Sequence, residues 1–175
     1  MIRTGIGFDV HRFAPGRKLL LGGIEIPSPE GLDGHSDADV LCHALADALL
    51  GAVADGDIGQ HFPNTDPRWK NADSVELLRQ VVARVKAKGY QVVNVDAAIT
   101  AEKPKVMPYA LRMRERLAPV LGVTVDDVSI KATTMEGMGA VGRGEGIAVM
   151  AVATVERVRL GIQNPESRTQ NEDGE

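Results

Sequence analysis

Alternating hydrophobic and polar positions predict five β-strands along the chain. In 2–11, Ile2, Ile6 and Phe8 share one parity, whereas Asp9 and His11 share the other. Such alternation is typical of a strand, whose successive side chains point to opposite faces of a sheet. Four further segments carry strand patterns, the first of them broken by Gly22-Gly23: 18–26, 90–100, 128–134 and 146–155.

Hydrophobic residues at helical spacing predict two helices between these strands, and residues typical of helix ends predict a third. The first is predicted over 37–54, with Ser36 as its N-terminal cap and its buried side formed by Leu41, Leu45, Ala48, Leu49 and Ala52. The second begins at Asp73, which with Glu76 resembles a capping box, and stops at Gly89. The third starts near Pro108 and ends at Gly122. Residues 55–73 are predicted to form a loop long enough to serve a function.

The last predicted strand is apolar on both parities. Ile147 and Val149 represent one face, and Met150 and Val152 the other. Three helices can cover only one face of a small sheet, so the second face needs another layer. Because no further element is available in the chain, we expect a second subunit to supply it.

Composition narrows the function classes. The net charge of −4 and the aromatic content of 3% argue against a nucleic-acid partner, which normally meets a basic face or a stacking platform. Cys42 is the only cysteine, so no internal disulfide can form. No segment is long and apolar enough for a membrane span, and the first residues lack the apolar run of a signal peptide. We therefore expect a cytoplasmic protein with no membrane partner.

Three side chains form a candidate metal site. Asp9 and His11 leave the same face of the first strand, and a carboxylate beside an imidazole is a normal ligand pair. His43 lies with Asp39 and Asp47 on a polar stripe of the first helix. Asp47, one turn beyond His43, is predicted to accept its second ring N–H. The residues alone also leave open a surface Asp–His pair without a metal.

Several other polar residues are suited to bind phosphate. Ser36 follows His35 at the start of the first helix, where backbone N–H groups can hold an anion, although Ser36 can equally be a simple cap. A second group combines a cation, hydroxyls and a glycine-rich turn, which together suit phosphate oxygens. Its members are Lys131, Thr133, Thr134, Glu136 and Arg143. In 57–59, Asp57 and Gly59 offer a carboxylate and a close backbone approach, or else only a surface turn.

The order and spacing of these motifs resemble one known family from Ile2 to about Val158. The matching segments are G-F-D-V-H at 7–11, H-S-D-A-D at 35–39, D-A-L-L-G at 47–51, D-I-G-Q-H-F-P-N-T-D-P at 57–67, K-A-T-T-M-E at 131–136 and G-R-G-E-G at 142–146. They are similar to those of the 2-C-methyl-D-erythritol 2,4-cyclodiphosphate synthases of the non-mevalonate isoprenoid pathway. The resemblance implies an α+β subunit, with a small mixed β-sheet and three helices on one face. It also implies a homotrimer whose sheets face the threefold axis. We expect a single catalytic domain over 1–158, followed by a tail over 159–175 whose polar composition predicts disorder.

The resemblance also implies two kinds of bound metal. Asp9, His11 and His43 would hold one Zn²⁺ per subunit, and Glu136 would meet a Mg²⁺ or Mn²⁺ ion carried with the substrate diphosphate. Asp47 and Lys131 are expected to support the metal-binding and phosphate-binding side chains without contacting the ions themselves.

Catalytic and substrate-binding positions follow from the same resemblance. His35 and Thr134 would stabilise the transition state. Contacts to the erythritol and phosphate portions would come from Asp9, His11, His35, Ser36, Asp57, Ile58, Gly59, Phe62, Pro63, Asn64, Thr65 and Asp66. The cytidine pocket would be formed by Ala101, Glu102, Lys103, Pro104, Lys105, Val106 and Met107. The diphosphate and the subunit junction would be met by Thr133, Thr134, Met135, Glu136, Ala140 and Arg143.

Three positions depart from the family pattern, and two other functions stay open. Ala140 replaces a common phenylalanine, and Met135 and Asn64 replace the commoner Thr and Asp. The implied reaction closes a cyclic diphosphate and releases CMP. A metal-dependent phosphohydrolase would use the same ligands to activate water. A non-catalytic trimeric binder would use the doubly apolar strand to hold a lipid or a partner protein.

Overall fold

The computed structural model describes residues 1–158, and the predicted tail over 159–175 lies outside the described residues. Its main feature is a mixed five-stranded sheet in the order β4-β1-β7-β5-β6. The β1–β7 and β7–β5 pairs are antiparallel, whereas β5 and β6 are parallel. The strands of this sheet are β1 Ile2–Pro15, β4 Glu30–Leu32, β5 Tyr90–Thr100, β6 Val128–Thr133 and β7 Gly146–Arg157. A separate hairpin joins β2 Leu19–Leu21 to β3 Ile24–Ile26.

Three longer helices pack on one face of this sheet and confirm the α+β prediction. They are α1 Val40–Ala52, α3 Ser74–Ala87 and α4 Ala110–Leu121. Short helical segments lie between them: α2 Ile58–His61, α5 Gly139–Gly142 and the 3₁₀ turns Pro67–Trp69, Met107–Tyr109 and Val125–Asp127. The predicted ends of α3 and α4 are confirmed, because Gly89 and Gly122 adopt the left-handed φ that glycine tolerates best. No helix among the described residues has the length and hydropathy to cross a bilayer.

Close packing of α1 against β1 fixes the position of the candidate metal site. Gly5 and Gly7 lie directly under α1: a Cβ added at Gly7 would come within 2.0 Å of the Ala44 carbonyl oxygen, and one at Gly5 within 2.1 Å of the Ala48 oxygen. Only glycine permits this approach of strand and helix backbones. Because α1 carries His43 and β1 carries Asp9, this contact determines how close the two elements bring their side chains.

The opposite face of the sheet exposes apolar side chains. Phe8 of β1 lies opposite Met150 of β7, and Ile6 lies opposite Val152. These four side chains are between 42% and 64% exposed, whereas Ile147 and the other inward residues of β7 are fully buried. The sequence-based expectation that one subunit leaves this face without a covering layer is confirmed for the described part of the chain.

Several predicted boundaries were wrong. The segment 18–26 is a hairpin rather than one strand, because Gly22 and Gly23 both adopt positive φ and turn the chain. Strand β4 was not predicted, and the predicted loop over 55–73 contains α2 and a 3₁₀ turn. Helix α1 begins at Val40, with Asp39 rather than Ser36 as its cap.

Hydrogen bonds to other partners explain why α1 begins later than predicted and why α3 lacks the predicted capping box. The Asp39 carboxylate accepts from the Cys42 N–H and also from Gly22 and Gly23, and so joins the hairpin turn to the start of α1. Its complete burial raises the pKa of its carboxyl, although these three N–H donors oppose the shift. At α3, Asp73 caps the helix by accepting from the Val75 N–H, but Glu76 pairs with Arg79 instead of closing a capping box.

Candidate metal centre and substrate site

Asp9, His11 and His43 converge at the junction of β1 and α1. Asp9 Oδ2 lies 2.9 Å from His11 Nε2 and 3.0 Å from His43 Nδ1. The two ring nitrogens are 3.3 Å apart. One carboxylate oxygen and two imidazole nitrogens around a common point form a donor set that suits Zn²⁺ or a similar ion, with a coordination position left for another ligand. The fold thus brings together the three predicted ligands, although His43 lies 32 positions from His11 and 34 positions from Asp9 along the chain.

The two histidines affect the protonation of Asp9, and Asp9 affects that of His11. Burial disfavours the charged Asp9 carboxylate, but hydrogen bonds and charge interactions with His11 and His43 outweigh burial and lower its pKa. Burial likewise disfavours a charged His11, yet the Asp9 carboxylate and the Asp33 carbonyl raise the pKa of His11 above its ordinary value. A cation at this place is therefore favoured electrostatically, whether it is a proton or a metal ion.

Backbone contacts orient the His11 ring. His11 Nδ1 contacts the carbonyl oxygen of Asp33, which can only accept a hydrogen bond. Nδ1 must therefore carry a hydrogen, which leaves Nε2 as the ring nitrogen that faces Asp9 Oδ2 and His43. This arrangement is the one that a metal-binding histidine requires.

The predicted contact between Asp47 and His43 was wrong. Asp47 Oδ1 accepts the Ile58 N–H at 2.7 Å and so fixes the start of α2. The second nitrogen of His43, Nε2, lies instead 2.9 Å from Ser74 Oγ and 3.1 Å from Ser36 Oγ. Burial raises the pKa of Asp47, assisted by the charges of Asp57 and Asp9 and opposed by the Ile58 hydrogen bond.

A cavity of about 250 Å³ opens beside the triad and collects many of the predicted site residues. Those that line it are Asp9, His11, His35, Ser36, His43, Asp47, Ile58, Gly59, Phe62 and Asn64. His35 Nε2 lies 3.3 Å from the Asp66 carbonyl oxygen. The Asp57 side chain accepts from Gln60 N and Nε2 and caps α2. Asp66 pairs with Arg68, which lowers its pKa.

A second, larger cavity of about 890 Å³ lies beside the predicted cytidine segment. It is lined by Phe13, Ser28, Pro29, Glu30, Glu102, Lys103, Pro104, Lys105, Gly142, Arg143 and Gly144. The two cavities share no lining residue. Within one described subunit, the predicted triad and the predicted cytidine pocket therefore form separate sites.

The residues predicted to bind the diphosphate make hydrogen bonds and ion pairs within the protein. Thr134 Oγ1 donates to Glu136 Oε1 at 2.7 Å, and Glu102 Oε1 accepts the Met135 N–H at 2.9 Å. Lys131 pairs with the Asp96 carboxylate across neighbouring strands, and this ion pair lowers the pKa of Asp96. The Lys131 ammonium is thus engaged on the sheet rather than directed at the Thr134 hydroxyl.

Comparison with known proteins identifies the family. A family model described as the YgbB family matches residues 2–156. The chain belongs to the YgbB family. A family member from Moorella thermoacetica, named 2-C-methyl-D-erythritol 2,4-cyclodiphosphate synthase, is 60% identical over 86% of this chain and 93% of its own length. A protein of the same name from Methylobacillus flagellatus is 57% identical over 91% of this chain and all of its own length.

Solved structures of family members share the fold. The bifunctional IspDF from Campylobacter jejuni superposes with a TM-score of 0.87 at 43% identity, covering 90% of this chain and 42% of that one. A 2C-methyl-D-erythritol-2,4-cyclodiphosphate synthase in a CDP-bound form gives a TM-score of 0.81 at 37% identity, covering 88% of this chain and all of that one. The resemblance inferred from the sequence motifs is confirmed.

Sequence reasoning missed three polar residues that shape the site. Ser74 and Asp37 lie behind His43, and Arg17 donates to the carbonyl oxygens of Gly34 and Ser36 at 2.7 and 2.6 Å. Each contacts a group that lies between 17 and 37 positions away along the chain. No local pattern signals such a contact, although Asp37 belongs to the H-S-D-A-D motif and could have been weighed there.

Proposed function

We propose that this chain cyclises 4-diphosphocytidyl-2-C-methyl-D-erythritol 2-phosphate to 2-C-methyl-D-erythritol 2,4-cyclodiphosphate and releases CMP. The observation that carries the proposal is the convergence of Asp9, His11 and His43 beside a cavity of about 250 Å³. The family match also supports the proposal, because relatives that are 57–60% identical to this chain carry the synthase name. The enzyme is then a phosphorus–oxygen lyase of isoprenoid precursor biosynthesis.

The donor set fits a divalent metal ion. We propose one Zn²⁺ per subunit on Asp9, His11 and His43, because two imidazoles and a carboxylate are common Zn²⁺ ligands. Glu136 with Thr134 is proposed to meet a Mg²⁺ or Mn²⁺ ion, since hard cations of this kind prefer oxygen ligands and accompany phosphates. When bound, these ions neutralise negative charge on the phosphate oxygens.

The reaction needs no protein nucleophile. An oxygen of the substrate's 2-phosphate forms a bond to the β-phosphorus, and the bond from that phosphorus to the bridging oxygen breaks, so that CMP leaves with the bridging oxygen. His35, beside the triad, is proposed to orient oxygens of the phosphate group during this transfer, and Thr134 to do so from the diphosphate side. Holding the two reacting groups of one substrate together can supply up to about 7–11 kcal/mol of the barrier.

Substrate contacts are proposed at the positions that the family motifs indicate. Ser36, Ile58 and Gly59 line the cavity beside the triad and are proposed to bind the erythritol and its phosphate. The segment 101–107 is proposed to bind cytidine through backbone groups, and the CDP-bound form of the similar solved structure supports a cytidine nucleotide as ligand. Arg143 lines the larger cavity and is proposed to bind phosphate.

The active enzyme is proposed to be a homotrimer with its sheets facing the threefold axis. The apolar face carrying Ile6, Phe8, Met150 and Val152 would be buried between subunits, which its exposure in one subunit favours. The triad of one subunit would meet the cytidine segment of its neighbour, because the two cavities of a single subunit share no residue. A cytoplasmic location stays a prediction from the sequence.

The origin of the incorporated oxygen tests the reaction. The purified protein is incubated with the cytidylated substrate and divalent metal in water enriched in ¹⁸O, and the products are analysed by mass spectrometry. The cyclase releases CMP in step with a cyclic diphosphate, and neither product carries ¹⁸O. His43→Ala should abolish the release of CMP.

Two outcomes would contradict the cyclase. One ¹⁸O atom in a phosphate product, appearing at the rate of CMP release, would indicate a phosphohydrolase that activates water. No turnover by a metal-loaded protein would instead favour a non-catalytic binder.

A further inference from the structure

Behind His43, away from Asp9, lies a buried hydrogen-bond chain in which Ser74 and Asp37 have no part in the proposed substrate contacts. Ser74 is 1% exposed and Ser36 is 7% exposed. Ser74 Oγ lies 2.9 Å from His43 Nε2 and 3.2 Å from Ser36 Oγ, and it also contacts the Asp37 carboxylate. We propose that Ser74 and Asp37 are positioning residues that set the tautomer of His43, so that its Nδ1 lone pair is always presented to the metal. This inference rests on the proposed metal role of His43.

The direction of each hydrogen bond follows from what the partners can donate. Asp37 Oδ2 accepts the backbone N–H of Ser74 at 3.1 Å, and Asp37 Oδ1 accepts that of Asp39 at 3.2 Å. Because a carboxylate can only accept, the contact between Ser74 Oγ and Asp37 requires the Ser74 hydroxyl hydrogen to point at Asp37. The remaining lone pairs of Ser74 Oγ must then face His43.

The same reasoning fixes the His43 ring. With the Ser74 hydrogen committed to Asp37, an unprotonated His43 Nε2 would set two lone pairs against each other at 2.9 Å. Nε2 therefore carries the hydrogen and donates to Ser74. Ser36 Oγ, which accepts the Ala38 N–H at 3.1 Å, can donate its own hydrogen to Ser74 Oγ. All these donors are then used, and a metal ion shared by His43 Nδ1 and Asp9 Oδ2, which lie 3.0 Å apart, would take the Nδ1 lone pair.

This chain also links two helices to the metal centre. Ser74 is the first residue of α3, and His43 lies in α1. Losing the Ser74 hydroxyl would leave the His43 Nε2–H with Ser36 Oγ as its one remaining partner among residues 1–158 and free the ring to adopt the other tautomer. Removing such a partner behind a metal-bound histidine typically weakens metal affinity by about 10–100-fold.

Nuclear magnetic resonance of the unaltered protein tests the tautomer directly. The chain has four histidines, so ¹⁵N-histidine labelling of the zinc-loaded protein gives few resonances to assign, with His43→Ala identifying its own. We expect the His43 Nε2 to be protonated, with a hydrogen that exchanges slowly with solvent. A protonated Nδ1 on His43 would overturn the proposal; the result is read from the unaltered protein, and the variant serves only to assign the His43 resonances.

Zinc affinity of a variant pair tests the energetic role. Ser74→Ala should lower zinc affinity by about 10–100-fold in competition with a chromophoric chelator. The matched control is Asp73→Ala, which removes the cap of the same helix without touching His43 and should leave zinc affinity within about twofold. Equal zinc affinity in Ser74→Ala and the unaltered protein would overturn the positioning role alone. Absence of zinc binding by the unaltered protein would instead overturn the proposed metal site as well.

Discussion

The glycine contact between β1 and α1 provides the sharpest test of how the fold holds the site. Replacing Gly7 with Ala places a Cβ 2.0 Å from the Ala44 carbonyl oxygen and 2.7 Å from the Ala48 nitrogen. Both are backbone atoms of α1, so no side-chain rotation relieves the clash. Ala44 is adjacent to His43, whereas Gly7 is two residues from Asp9 on the strand.

The size of the effect follows from the distances. Ordinary contact begins near 3.4 Å, so α1 must move away from β1 by about 1.4 Å for the Cβ to fit against the Ala44 oxygen. Overpacking of a well-packed core typically costs about 1–3 kcal/mol, and a clash with backbone belongs at or above the upper end. Metal–ligand distances in well-formed sites lie within about 0.2 Å of their standard values, so a shift of α1 by this much would disturb the site. Gly7→Ala should therefore lower the free energy of unfolding by about 3 kcal/mol or more and weaken zinc binding by roughly 100-fold.

The assay compares this variant with a control in the same interface. Gly51 lies in α1, and a Cβ there meets only the Ile6 carbonyl oxygen at an ordinary 3.7 Å. Gly51→Ala should leave zinc affinity unchanged and stabilise the helix by about 0.5–1 kcal/mol. Urea unfolding of the metal-free proteins and chelator competition measure the two quantities. If Gly7→Ala unfolds at the same urea concentration as the unaltered protein and keeps its zinc affinity, close backbone packing does not set the ligand geometry.

Three further changes test other parts of the structure. Arg17→Gln removes the guanidinium that donates to the Gly34 and Ser36 carbonyl oxygens. It should slow turnover by roughly 10–100-fold while zinc affinity stays within about twofold. Unchanged turnover would contradict a role of these hydrogen bonds in positioning the site. Asp55→Asn tests pH dependence: Lys88 and Arg84 lower the pKa of Asp55, so the stability it adds is present above its unfolded-state pKa and is lost as pH falls. The difference in urea midpoint between this variant and the unaltered protein should therefore be larger at pH 7 than at pH 3, and a constant difference would refute the ion pairing. Phe8→Glu puts a charge on the exposed apolar face and should yield monomers by light scattering; a trimer that persists would place the subunit interface elsewhere.

Much of the fold was determined by local pattern. The alternation over 2–11 and 90–100 predicted β1 and β5, and the helical spacing of apolar residues predicted α1, α3 and α4, with glycines ending the last two. These signals are local because strand and helix periodicity bring residues two to four positions apart onto one face. The same locality placed Asp9 and His11 on one face of β1.

The errors arose where a helix start or a strand depends on partners that are distant in the sequence. Asp39 rather than Ser36 caps α1, because the hairpin turn at Gly22 and Gly23 also needs the Asp39 carboxylate. The short strand β4 has too few residues for a periodic signal and exists through its pairing with β1. Its stability comes from the partner strand, which the segment itself does not encode.

The sequence by itself determined which side chains could bind a metal, since the motifs containing Asp9, His11 and His43 carry the right donor atoms. Only the tertiary structure decided that these atoms lie within 3.3 Å of one another, because that distance depends on the backbone contact between α1 and the glycines of β1. It also decided that Ser74, rather than Asp47, lies within hydrogen-bond distance of His43. A helix brings Asp47 to the same side of α1 as His43, but the N-terminus of α2 occupies its carboxylate and the start of α3 supplies the hydroxyl. Contacts between elements depend on how the whole chain packs, which no local spacing records.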